Sequence, residues 1–70
     1  MSETLELIVN GCPRRVDGPA TVAQLLMQLG MPERGIAVEL NSQIVPKMRH
    51  AEQALAAGDR LEIVSLVGGG

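Results

Sequence analysis

Two apolar segments that alternate like strands lie near opposite ends of the chain, and they constrain the fold more than any other feature. The first covers residues 5–9 and places Leu5, Leu7 and Val9 on one side of an extended backbone. The second covers residues 60–66. Parallel neighbours need a long connection, and a helical pattern lies between these two segments. We therefore expect the two strands to pair in parallel at the centre of one sheet.

A hairpin is predicted after the first strand. Asn10-Gly11 tolerates the positive φ angles of a type I′ turn, which predicts a returning strand over residues 12–16. Pro13 has no N–H to donate, so this strand should lie at an edge of the sheet. The run Asp17-Gly18-Pro19 predicts a break before the next element.

One main helix is predicted from residue 21 onward. Thr21 and Gln24 have the spacing of a capping box, and Gly30 is suited to end the helix. The apolar side chains fall at the helical spacing i, i+3, i+4 and i+7, and they are Val22, Leu25, Leu26 and Leu29. So short a helix is unstable alone in water, and we expect its apolar stripe to pack on the sheet.

The rest of the chain completes an α+β order. Residues 36–40 and 44–45 have the pattern of strands, and a short helical turn is expected around residues 51–55. The predicted order is ββαββ, a short helical turn and then β, with one main helix on one face of a mixed sheet. This is a β-grasp arrangement. We assign residues 1–66 to that domain and residues 67–70 to a flexible glycine tail.

The composition excludes several classes of function. The chain has 70 residues, a net charge of −2 and no Phe, Tyr or Trp, so it offers nucleic acid neither a basic surface nor stacking platforms. No apolar run approaches the roughly 18 residues of a membrane span. No secretory signal precedes the first strand, so we expect a cytoplasmic protein without a membrane partner. Cys12 is the single cysteine, which excludes an internal disulfide and a multi-cysteine metal site.

Conventional catalysis is not indicated by the polar residues. His50 is expected on a surface loop and Cys12 beside a hairpin turn, and nothing in the sequence brings them together as base and nucleophile. Asp59 is expected to stabilise the turn before the last strand. No phosphate-binding glycine pattern is present, and we expect neither a bound cofactor nor a metal.

The terminal carboxylate is the remaining reactive group. Val67 leads into Gly68, Gly69 and Gly70, a thin arm able to enter a narrow channel of another protein. A free carboxylate is a poor electrophile, whereas an acyl-adenylate has a good leaving group. Because no ATP site is indicated in the chain, a partner would have to activate Gly70. The other interpretation is an inert, frayed terminus.

Several segments, taken together, resemble the ThiS family of sulfur carriers in thiamine thiazole synthesis. They are Val38-Glu39-Leu40-Asn41-Ser42-Gln43-Ile44-Val45-Pro46, Gly58-Asp59-Arg60-Leu61-Glu62-Ile63-Val64, Asn10-Gly11, Thr21-Val22-Ala23-Gln24-Leu25-Leu26 and the glycine end. The resemblance covers essentially the whole chain and implies a ubiquitin-like β-grasp fold. It implies that a ThiF-type adenylyltransferase uses ATP to adenylate Gly70 and that a cysteine desulfurase supplies the sulfur of a thiocarboxylate. Thiazole synthase, ThiG, would accept that sulfur. The chain would then be a cosubstrate and not an enzyme.

The last strand predicts where partners bind. If Leu61 and Ile63 point into the core, Val64 and Leu66 point outward. We expect these two, with residues 67–69, to form the partner-binding patch. Three alternatives stay open for the function: a sulfur carrier of the molybdopterin-synthase small-subunit type, a ubiquitin-like modifier joined to lysine amines, and a passive interaction module.

Overall fold

The computed structural model describes residues 3–32 and 34–66, which form one mixed sheet and one α-helix. The sheet order is β2-β1-β5-β3-β4. The elements in chain order are β1 (Glu3–Val9), β2 (Cys12–Gly18), α1 (Val22–Gln28), β3 (Ile36–Leu40), β4 (Gln43–Val45), a 3₁₀ turn (Lys47–Arg49) and β5 (Arg60–Ser65). The predicted α+β order is confirmed.

The two apolar end strands lie side by side at the centre of the sheet. β1 and β5 are parallel, with Ile8 opposite Arg60 and Val9 opposite Leu61. The pairs β1–β2, β3–β4 and β3–β5 are antiparallel. The parallel central pair predicted from the sequence is therefore confirmed.

The first hairpin has the predicted turn, but its second strand is longer than predicted. Asn10 and Gly11 have φ angles of 51° and 80°, as a type I′ turn requires. β2 lies at the sheet edge, where the missing N–H of Pro13 costs little. The expected end at residue 16 is wrong, because β1 begins early enough to pair with Asp17 and Gly18 as well.

Helix α1 begins and ends as predicted. The Gln24 N–H donates to Thr21 Oγ1 at 3.3 Å, and the Thr21 N–H donates to Gln24 Oε1 at 2.9 Å. This is the reciprocal pair of a capping box. Leu29 is the C-cap, and Gly30 follows with a φ of +70°, which favours glycine.

The short helical turn is not where the sequence placed it. It is a 3₁₀ turn over Lys47–Arg49, directly after Pro46, and residues 51–55 are not helical. The later segment pairs instead with the chain entering α1, through a bridge between Thr21 and Ala54. Pairing with another segment satisfies its backbone groups without a helix.

This segment also completes the amino-terminal end of α1. The Val22 N–H donates to the Gln53 carbonyl at 2.9 Å, and the Ala23 N–H donates to the His50 carbonyl at 2.9 Å. With the Thr21 cap, these bonds satisfy N–H groups that a helix leaves without internal partners. A seven-residue helix thus gains its stability from tertiary contacts.

His50 is buried, which corrects the expectation of a surface loop residue. Its side chain is 6% exposed, and Nε2 lies 3.1 Å from the Val45 carbonyl oxygen. A carbonyl only accepts, so Nε2 carries the proton. His50 thereby joins the 3₁₀ segment to β4, and it is a structural residue.

The core occupies one side of the sheet, between the strands and α1. It contains the alternating side chains of the central strands together with the apolar stripe of the helix. Its buried members are Leu5, Leu7, Val9, Val16, Ala20, Val22, Leu25, Leu26, Val38, Val45, Leu55, Leu61 and Ile63. No helix among the described residues is long and apolar enough to cross a membrane.

Candidate partner-binding face

The outer part of β5 presents aliphatic side chains away from the core. Leu61 and Ile63 are 1% and 8% exposed, whereas Val64 and Leu66 are 54% and 65% exposed. The Leu66 N–H donates to the Gly35 carbonyl at 2.6 Å, so the pairing with the β3 side continues one residue beyond the strand. The orientation predicted for Val64 and Leu66 is confirmed, and their role in binding stays a prediction.

Residues of β3 and β4 extend this surface on the side of the sheet opposite the core. Ala37 is opposite Val64, Glu39 is opposite Glu62, and Ile44 is in turn opposite Glu39. Ile44 is 63% exposed and Glu39 is half-buried. We call this surface the open face, and it comprises Ala37, Glu39, Ile44, Glu62, Val64 and Leu66.

Asn10 holds β5 at the point where β1 ends. The Ile63 N–H donates to Asn10 Oδ1 at 2.7 Å, and Asn10 Nδ2 donates to the Ile63 carbonyl at 3.2 Å. The Asn10 backbone N–H also donates to the Leu61 carbonyl, at 2.9 Å. The Asn10 carboxamide therefore makes the two hydrogen bonds to Ile63 that a backbone residue of a neighbouring strand would make. Sequence reasoning assigned Asn10 to the turn and missed this contact, because the sequence does not reveal where its side chain points.

The turn before β5 is fixed by Asp59, as expected. Asp59 Oδ2 accepts from the Ala56 N–H at 2.7 Å, and Oδ1 accepts from Asn41 Nδ2 at 3.0 Å. Asn41 Oδ1 in turn accepts from the Arg60 N–H at 3.0 Å. Asp59 and Asn41 therefore hold the beginning of β5, and Asn10 holds the strand at Ile63.

The predicted arm lies outside the described residues. Val67, Gly68, Gly69 and Gly70 follow directly after Leu66 in the chain, which places their attachment point at the end of the open face. Their predicted roles in partner binding and, for Gly70, as the modified residue stay predictions.

The described residues do not assemble a conventional catalytic or metal site. Cys12 is exposed on β2, at one edge of the sheet, whereas His50 packs on β4 at the opposite edge. A thiol and an imidazole so placed cannot act as nucleophile and base. Within residues 3–32 and 34–66, no three His, Cys, Asp or Glu side chains form a group that could hold a metal ion.

Comparison with known proteins assigns the fold and the glycine end together. Residues 7–70 match the ThiS family. The chain belongs to the ThiS family. The match begins within β1, includes β2 through β5 and continues to Gly70, so it covers the arm as well as most of the described domain.

Individual relatives agree with this assignment. The sulfur carrier protein ThiS of Thermus thermophilus is 34% identical over 62 residues, covering 89% of this chain and 95% of that protein. The crystal structure of ThiS from Geobacter metallireducens matches with a TM-score of 0.80 and 32% identity, covering 94% of this chain and all of that one. These relatives confirm the predictions of a ubiquitin-like β-grasp fold and of membership in the ThiS family.

A longer relative matches more closely in sequence. The thiazole synthase of Paramagnetospirillum magneticum is 46% identical over 66 residues, which cover 94% of this chain but only 20% of that protein. The chain therefore spans one fifth of that relative's length.

Proposed function

We propose that this ThiS-family chain is a cosubstrate that carries sulfur as a thiocarboxylate on Gly70. The observation that supports this best is the family match through residue 70, because the chemistry of a carrier takes place at that carboxylate. The described domain has exposed aliphatic side chains, and its thiol and imidazole lie at opposite edges of the sheet. Its role is to be bound while a partner performs the chemistry.

In the first proposed step, a ThiF-type adenylyltransferase activates the arm. A Gly70 carboxylate oxygen attacks the α-phosphorus of ATP, and pyrophosphate leaves. The product is a glycyl adenylate, in which AMP is the leaving group. ATP belongs to the partner, and the carrier binds no cofactor of its own.

In the second proposed step, sulfur replaces AMP. The terminal sulfur of a cysteine-desulfurase persulfide attacks the acyl carbon, AMP leaves, and an acyl disulfide forms. A thiol then attacks the sulfur that came from the desulfurase cysteine, and the electron pair of the S–S bond remains on the acyl sulfur. Gly70 is left as a 1-thioglycine thiocarboxylate.

Thiazole synthase is the proposed acceptor of the sulfur. Support comes from two relatives named thiazole synthase, from Paramagnetospirillum magneticum and Magnetococcus marinus. In each, a segment similar to this chain makes up 20% of the protein. A carrier-like segment within the same polypeptide as a synthase is consistent with direct transfer between them. A cytoplasmic location, expected from the sequence, stays a prediction.

The open face is the proposed docking surface for these partners. It carries exposed aliphatic side chains at Ile44, Val64 and Leu66, and the arm leaves the domain at Leu66. Burying such side chains against a partner is favourable, by about 25 cal/mol for each Å² of apolar surface. Docking there would bring the arm to the partner's active site.

Intact-protein mass spectrometry tests the proposed chemistry. The chain is incubated with ATP, a ThiF-type enzyme, a cysteine desulfurase, cysteine and a thiol. We expect a mass gain equal to exchanging one oxygen for sulfur, and fragmentation should locate it at Gly70. A chain lacking Gly69 and Gly70 serves as the control and should gain nothing. An unchanged full-length chain, with enzymes that modify a known carrier, would refute the proposal.

A further inference from the structure

Two carboxylates face each other on the open face. Glu39 and Glu62 are register partners on neighbouring antiparallel strands, so their side chains emerge on the same side with Cβ atoms about 4.5–5.5 Å apart. Like charges directly opposite one another destabilise a sheet. The facing carboxylates therefore lower the stability of the sheet at this position.

Neither carboxylate takes part in an ion pair within the described part of the chain. Glu6, also on the side of the sheet away from the core, faces Arg15 and forms an ion pair with it, at 3.8 Å between Oε1 and Nε. That contact is the single ion pair among residues 3–32 and 34–66. Arg60 precedes Glu62 on the same side of β5, but it lies beside Ile8 and contacts neither carboxylate closely enough for an ion pair.

Aliphatic side chains surround the two carboxylates. Ile44 lies beside Glu39 on β4, and Val64 follows Glu62 along β5. A partner that covers these aliphatic groups also removes water from the carboxylates. Desolvating two carboxylates without a counter-charge is strongly unfavourable. A complementary partner must therefore present a cation at this point of the interface.

We infer that Glu39 and Glu62 receive an arginine side chain of the adenylating enzyme when that enzyme docks on the open face. A planar guanidinium has enough N–H donors to bond both carboxylates at once, which one ammonium group does less well. The inference rests on the proposed function. The adenylating enzyme is favoured because a site for ATP and a terminal carboxylate needs cationic groups, and the arm starts from this face.

Stability and binding should respond in opposite directions. Replacing both carboxylates in Glu39→Gln/Glu62→Gln removes the repulsion with little change in shape, so the urea midpoint should equal or exceed that of the wild type. Affinity for the adenylating enzyme should fall by at least about tenfold. If the two carboxylates served folding alone, their replacement would lower the urea midpoint and would not specifically lower the affinity.

A second variant is needed because glutamine side chains could still accept hydrogen bonds from the partner's arginine and so retain part of the affinity. Glu62→Arg places an arginine opposite Glu39, where the two can pair across the strands. The domain should be stabilised, while the partner's cation meets a like charge. Binding should be weaker than that of the double glutamine variant.

The measurement is surface plasmon resonance with the adenylating enzyme encoded in the same genome, at low and at physiological ionic strength. Glu52→Gln is the matched control, because it removes one exposed carboxylate from the turn after Arg49, away from the open face. It should bind like the wild type at both ionic strengths. The wild type should lose affinity with salt, and the double glutamine variant should lose less.

The outcomes separate this inference from the proposed function. Wild-type affinity in both open-face variants, with normal thiocarboxylate formation, would overturn the inference and leave the carrier function intact. A wild-type chain that gains no sulfur would overturn both. Weaker binding together with a lower urea midpoint would also count against the inference, because damage to the fold would then explain the loss.

Discussion

The contact between Asn10 and β5 yields the sharpest stability prediction. Asn10→Gly removes both side-chain hydrogen bonds to Ile63 and keeps a residue that tolerates the φ angle of 51°. The turn backbone can therefore stay as it is, including the N–H bond to Leu61. The substitution isolates the contribution of the carboxamide.

The expected loss follows from the two bonds. Each part-buried hydrogen bond contributes about 0.5–1.5 kcal/mol net, and the unpaired Ile63 groups add a desolvation penalty that water partly relieves. We expect the free energy of unfolding to fall by about 2 kcal/mol. For a domain of this size, that lowers the melting temperature by roughly 8–16 °C.

Urea unfolding followed by far-ultraviolet circular dichroism measures the loss, because the chain has no Trp or Tyr for fluorescence. The m-value should not change, since the surface exposed on unfolding is the same. Ser42→Gly is the control. It introduces glycine at another turn position, with a φ of 72°, where the described residues show no side-chain hydrogen bond. If Asn10→Gly lies within about 0.5 kcal/mol of this control, Asn10 does not hold β5 as we describe.

Two further substitutions test the open face and the buried imidazole. Val64→Asp should weaken binding to the adenylating enzyme in surface plasmon resonance without unfolding the domain, because Val64 is exposed; an unfolded variant or unchanged affinity would refute its role in docking. His50→Ala should lower the free energy of unfolding by about 2–4 kcal/mol, because it leaves the Val45 carbonyl unpaired and opens a cavity. His50→Gln, which retains a donor, should recover part of that loss in the same urea titration, and a neutral alanine variant would contradict the structural role.

The sequence predicts those parts of this fold whose signals are local. The capping box of Thr21 and Gln24 is decided within four residues, and the turn at Asn10 depends on two residues that tolerate positive φ. The central position of β1 and β5 also follows, since two strongly apolar strands with a helix between them have few other arrangements.

The errors arise where distant contacts decide the structure. Residues 51–55 contain alanine and have a fair helix propensity, but they form a turn and then a bridge to the chain around Thr21 instead of a helix. His50 follows the charged residues Lys47 and Arg49, which favour a surface position. Its burial depends on a carbonyl acceptor in β4, and no pattern in the sequence reveals that acceptor.

The candidate site is predictable only in part for the same reason. Alternation along β5 assigns Val64 and Leu66 to the exposed side, because a strand has a period of two. The facing of Glu39 and Glu62 requires the register between β3 and β5. A shift of one strand by one residue would turn its glutamate to the other side of the sheet, so the pair is visible only once the pairing is known.

The division between the two sides of the sheet explains how one small domain can be both stable and recognisable. The core side is complete with aliphatic side chains and α1, so stability makes little demand on the opposite side. Residues on that side can serve partner binding, even where a pair such as Glu39 and Glu62 lowers the stability of the fold. In the proposed function the chain meets several enzymes in turn, and it would have to dissociate from each one. Exposed aliphatic groups around a charged pair suit that need, since the charges provide selectivity and a salt-sensitive association rate more than affinity.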